Sequence, residues 1–108
     1  MILTITQGDS YPVFCEIMQD GHILTPEMVE DLEISVGNIW SFSASCKTLA
    51  FDETSSQWYF WPTAEETSAA KGGYPVHLRV SYCNDPGEKY VFKLGHIVVD
   101  PSPFKEVR

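Results

Sequence analysis

Gly8-Asp9-Ser10 is similar to the nucleophile motif of one esterase family, which needs a later histidine with an aspartate three residues before it and a doubly wound sheet to hold both. The three histidines, His22, His77 and His96, are preceded at that spacing by Gln19, Tyr74 and Lys93. The triplet is therefore read as a turn. Glu65 and Glu66 supply two carboxylates, but neighbouring residues of a helix do not face each other. Thr63-Ala64-Glu65-Glu66 reads instead as a capping box, in which the Thr63 hydroxyl and the Glu66 carboxylate satisfy each other's backbone amides. The three cysteines, Cys15, Cys46 and Cys83, are an odd number, widely spaced, without a Cys-x-x-Cys pair. That pattern argues against a disulfide framework and against a zinc site, and it suits a reducing compartment of synthesis. No glycine-rich phosphate loop is present. The expectation is a protein that is not an enzyme, with no catalytic residues, no metal and no cofactor.

Aromatic residues carry the remaining chemistry. Gln57-Trp58-Tyr59-Phe60-Trp61 is the densest run. On a strand, alternate residues point to opposite faces, so it buries either Trp58 and Phe60 or Tyr59 and Trp61. The outward half can dock a protein or stack on a sugar. Trp40 joins Tyr59 and Trp61 as a candidate contact residue. So do Phe104 and Val107, the two apolar anchors of the tail that follows Asp100-Pro101-Ser102-Pro103.

The elements that must position these residues are short. Ile2–Thr6 alternates and is rich in β-formers; Val13, Cys15 and Ile17 share a face with Tyr11; Leu32, Ile34 and Val36 alternate with Asp31, Glu33 and Ser35. Residues 39–42 and 48–51 are further strands, with 43–47 as the tip between them. Residues 74–82 alternate over nine positions, and 89–99 form a last strand with a bulge at Gly95. Asp20-Gly21, Gly37-Asn38 and Asn84-Asp85-Pro86-Gly87 are turns. Thr25-Pro26 opens a single helical turn, with Thr25 as its cap. This predicts an all-β chain: an Ig-like antiparallel β-sandwich of about seven or eight strands with one or two single-turn helices. At 108 residues it is one domain, 1–108, with a short tail over 100–108.

Charge narrows the partners. The net charge is -8, from 15 acidic and 7 basic residues. Such a surface repels nucleic acid and anionic lipid, so neither is expected as a partner. No apolar run approaches the ~20 residues of a membrane span. Residues 1–70 hold 11 acids and one base, whereas residues 71–108 hold 4 acids and 6 bases. Copies can therefore meet head to tail with complementary potential if the two segments fall on different faces.

In order along the chain stand Thr4-Ile5-Thr6-Gln7-Gly8-Asp9-Ser10, Leu24-Thr25-Pro26-Glu27-Met28-Val29 with Leu32-Glu33-Ile34, Gln57-Trp58-Tyr59-Phe60 with Thr63-Ala64-Glu65-Glu66-Thr67, Gly73-Tyr74-Pro75-Val76 with Leu78-Arg79-Val80, Leu94-Gly95-His96-Ile97-Val98-Val99 and Lys105-Glu106-Val107. This order resembles the short Ig-like structural proteins of tailed phages and prophages of Gram-positive bacteria. It is also similar to the N-terminal domain of phage baseplate upper proteins, which continue into a receptor-side region where this chain stops. The resemblance implies a virion structural protein of the tail, baseplate or head, made in the bacterial host cytoplasm. Its expected partners are other virion proteins, either tail and baseplate proteins or the major capsid protein, together with copies of itself. A capsid decoration protein is one alternative. A carbohydrate-binding module for host-surface adhesion, with glycan as its ligand, is another.

Overall fold

The computed structural model describes residues 2–102. Ten strands lie among them: β1 (Ile2–Thr6), β2 (Val13–Cys15), β3 (Met18–Gln19), β4 (His22–Ile23), β5 (Val29–Val36), β6 (Trp40–Ser43), β7 (Leu49–Asp52), β8 (Gln57–Phe60), β9 (Gly72–Tyr82) and β10 (Tyr90–Asp100). A 3-10 turn (Pro26–Met28) precedes β5, and one short helix, α1 (Ala64–Ala69), joins β8 to β9. Eight strands form two sheets, in the orders β1-β10-β9-β5-β6 and β2-β8-β7, and β3 and β4 make a small separate hairpin. This is an all-β sandwich with the Ig-like division of strands between its sheets. The eight sheet strands agree with the sequence reading.

Alternation builds the core. In β5, Leu32, Ile34 and Val36 are fully buried. They pair across the sheet with Val80, Leu78 and Val76 of β9, which are buried on the same face. From the facing sheet come Val13, Cys15, Leu49, Trp58 and Phe60. The Phe42 and Phe60 rings stack at 4.5 Å and join β6 of one sheet to β8 of the other. The Trp58 indole N–H donates to the Leu24 carbonyl at 2.8 Å in the interior, so this core indole has no unmet donor.

Turn chemistry sets the register. Asp20 and Gly21 have φ of 51° and 79°, the doubly left-handed pair of a two-residue hairpin. A side chain at Gly37 would bring its Cβ within 2.9 Å of the Tyr74 ring, in a backbone that already disfavours one. At Gly95 the β9–β10 register shifts, the bulge expected there. The Thr63–Glu66 capping box forms in both directions, at 2.9 and 3.1 Å.

Three local expectations are corrected. The edge strand β1 runs parallel to β10, not antiparallel, with Ile2 opposite His96 and Thr6 opposite Asp100. Sequence alternation fixes which face is buried and is silent on direction. Tyr11 is 48% exposed, because the strand begins only at Val13, beyond Pro12. Thr25 makes no side-chain cap to the 3-10 turn. The Glu27 carboxyl, held below its usual range by its own backbone amide and then by the Thr25 side chain, takes that hydroxyl instead.

Burial also sorts the cysteines. Cys15 is 2% exposed, and desolvation pushes its thiol up to about 11, whereas Cys46 and Cys83 are exposed. A thiol reagent at pH 8 should titrate two cysteines quickly and the third only on unfolding. Fast reaction of all three in the native protein would show that β2 opens readily.

Candidate interaction surfaces

The run 57–61 buries Trp58 and Phe60 and turns Tyr59 and Trp61 outward. The choice follows from the partners. Trp58 reaches the Leu24 carbonyl and Phe60 reaches Phe42, and only the inner face offers either. Tyr59 is half-buried, and Trp61 is 54% exposed.

Across the outer face of the small sheet, Phe14 of β2, Tyr59 of β8 and Ala50 of β7 lie in one row. The Phe14 and Tyr59 rings are 5.2 Å apart and inclined at 33°. Trp61, two residues past Tyr59, continues the face. Its indole N–H makes one long contact, 3.4 Å to the Ser10 hydroxyl. Phe14 was missed from sequence, although its place between Val13 and Cys15, both buried, was the signal that it must face out. Beside this row a groove of about 420 Å³ runs past Tyr59 and Trp61 to Lys47 and Glu66.

Trp40 does not belong to this surface. It is 5% exposed and packs in the core beside Phe42, with ring centres 6.4 Å apart. In β6, Trp40 and Phe42 face in while Ser41 points out and Ser43 is half-buried, so the indole fills the sandwich. Phe104 and Val107 lie outside the described residues.

A second surface occupies one end of the molecule. A groove of about 680 Å³ lies between the β3–β4 hairpin, the 3-10 turn and the turn joining β9 to β10. Tyr82, Tyr90 and Phe92 give it an aromatic wall, and Asp20, Glu27 and Asp85 are its carboxylates. Hydrogen bonds hold the wall: Tyr82 donates to the Gln19 side-chain carbonyl and Tyr90 to the Asp85 carboxylate. The field there is negative. The Tyr90 hydroxyl is raised above its ordinary pKa by Asp85, and burial and then Asp20 act against ionisation of Tyr82.

The residues tested first for catalysis have structural duties. Asp9 accepts from the Thr6 amide at 3.2 Å within the turn after β1. Glu66 caps α1. His22, His77 and His96 sit on β4, β9 and β10. Among the described residues, no group of three or more His, Cys, Asp or Glu side chains is placed to hold a metal ion. No described helix is long and apolar enough to cross a membrane. Among the described residues, one surface ion pair joins Arg79 to Glu33 across β9 and β5 on the outer face of the large sheet.

No protein-family model matches the sequence, and no curated protein matches it.

Proposed function

We propose that the chain is a non-enzymatic structural protein of a tailed-phage virion, of the tail, baseplate or head, that works by protein–protein assembly. The observation that carries this reading is the outward aromatic row Phe14, Tyr59 and Trp61 on the outer face of the small sheet, of which Phe14 and Trp61 are exposed among the described residues. Rigid aromatic side chains held on a sheet lose little entropy on binding, and they dominate the energetics of protein interfaces. The ordered sequence resemblance and the Ig-like strand arrangement support it. The outer strands β6, β2 and β7 add sheet edges that a neighbour can extend.

Light scattering on the purified protein, alone and mixed with the products of neighbouring genes, tests the proposal. A ring or a stable complex with a capsid or tail protein is expected. A strict monomer that ignores every neighbour overturns it. Trp61→Ala should weaken the complex by about 2 kcal/mol, roughly 30-fold. The same substitution should change stability by only about 0.5 kcal/mol, since Trp61 is outside the core. A variant that melts much earlier would show Trp61 to be structural.

The same exposed row favours a second reading as a carbohydrate-binding module, because aromatic faces on a β-sandwich stack on sugar rings. Hits on a glycan array that vanish in Trp61→Ala would establish it. An array without hits from a protein that assembles would end it.

A further inference from the structure

The end groove combines two properties that seldom coincide. Its wall is aromatic, and its charge has one sign: Asp20, Glu27 and Asp85 line it and no Lys or Arg does. Tyr90 and Phe92 pair with Val80 and Leu78, so they belong to the core-facing row of the large sheet. Yet they remain 39% and 47% exposed. The strand edge beside them is open as well. Among the described residues, β1 pairs with β10 only between His96 and Asp100, and no strand pairs with that side of β10 from Tyr90 to Lys93. An aromatic wall, carboxylates and an open strand edge together suit an extended segment that carries both cations and apolar side chains.

Such a segment exists in this chain. Pro103-Phe104-Lys105-Glu106-Val107-Arg108 puts two cations, one acid and two apolar side chains within six residues of an otherwise acidic protein, a local excess of positive charge. Chain length keeps Phe104 out of the same copy's groove. β10 leads away from the groove, and its eleven residues carry the chain about 34 Å to Asp100. Fully extended, Phe104 reaches back about 14 Å from Asp100 and Arg108 about 29 Å.

We propose that the groove receives residues 103–108 of a second copy of this chain, a contact that rests on the assembly reading above and specifies it. Donor and acceptor lie at opposite ends of β10, so the contact is heterologous and builds a ring or a filament. Lys105 and Arg108 meet Asp20, Glu27 and Asp85, and Phe104 and Val107 pack on Tyr82, Tyr90 and Phe92.

A fluorescent peptide of residues 101–108, titrated into the full-length protein and read by anisotropy, tests this. Saturable binding is expected below about 1 mM, weakened about tenfold by raising salt from about 0.05 to about 0.5 M. Glu27→Lys with Asp85→Lys should lose about tenfold or more in affinity, with a fall in melting temperature of only about 5 °C from the lost Tyr90–Asp85 hydrogen bond. A peptide carrying Lys105→Glu and Arg108→Glu should recover binding to that variant, which damage to the fold does not predict. Excess peptide should dissolve the oligomers of the full-length protein seen by light scattering, and Phe104→Ala with Val107→Ala should prevent them. No saturable binding, or equal binding of a scrambled peptide of the same composition, overturns the proposal. So does peptide binding to a full-length protein that stays monomeric. Oligomers that persist under excess peptide overturn the tail contact while leaving assembly through another surface intact.

Discussion

Phe60→Ala should destabilise the protein by about 3–5 kcal/mol, the usual cost of deleting a buried phenylalanine ring. Phe60 is 1% exposed and stacks on Phe42 at 4.5 Å. It is the ring that ties the small sheet to the far edge of the large one. Its loss removes transfer energy and leaves a cavity between two hydrogen-bonded sheets that cannot close on it. A domain of this size has about 5–15 kcal/mol in total, so the variant stands near the threshold of folding. The melting temperature should fall by roughly 15 °C or more. Tyr59→Ala, one residue away on the half-buried outer face, is the control and should cost about 1 kcal/mol. Urea titrations followed by far-UV circular dichroism compare the two. A loss below about 1.5 kcal/mol for Phe60→Ala would mean that the sheets are held together elsewhere.

The second large effect is polar. Among the described residues, Thr67 is the one polar side chain that is fully buried, at 0% exposure. Its hydroxyl accepts from the Gly8 amide at 3.0 Å and donates to the Asp9 carbonyl at 2.8 Å, with the Ala64 carbonyl at 3.1 Å. One side chain of α1 therefore satisfies the turn that follows β1. Thr67→Val keeps the shape and removes the hydroxyl, leaving an amide and a carbonyl without their partner. The cost should be about 2 kcal/mol, more than the ~1 kcal/mol of losing the Thr63 cap on the same helix. Thr67→Ser keeps the hydroxyl and should recover most of the loss. Hydrogen exchange gives the local readout: the Gly8 amide should exchange slowly in the parent and fast in Thr67→Val. Equal exchange rates would show that the helix does not hold the turn.

The capping box at Thr63–Glu66 was legible because both partners lie within one turn of chain, where geometry follows from spacing. The same holds for Leu32, Ile34 and Val36, whose alternation with acidic and hydroxyl residues leaves one face to bury. The hairpin at Asp20-Gly21 and the bulge at Gly95 were equally local. Trp40 was misplaced because aromatic content was weighed over period. Ser41 and Ser43, alternating with Trp40 and Phe42, already marked the indole as inward. The sequence of 57–61 required one face to be covered but did not choose it. Phe42 and the Leu24 carbonyl made the choice, and they stand 18 and 34 residues away.

Local periodicity and turn chemistry thus determined that this chain is an all-β sandwich, where it turns, and that some of its aromatic side chains must face outward. Those properties depend on side chains within a few residues of one another. Tertiary structure alone decided that β1 lies parallel to β10, that Thr67 answers to Gly8 and Asp9, and that Tyr82, Tyr90 and Phe92 share a groove with Asp20, Glu27 and Asp85. These contacts join residues up to 94 positions apart. Which distant residues meet depends on how two sheets close over a shared core, a choice made by the packing energy of the whole chain.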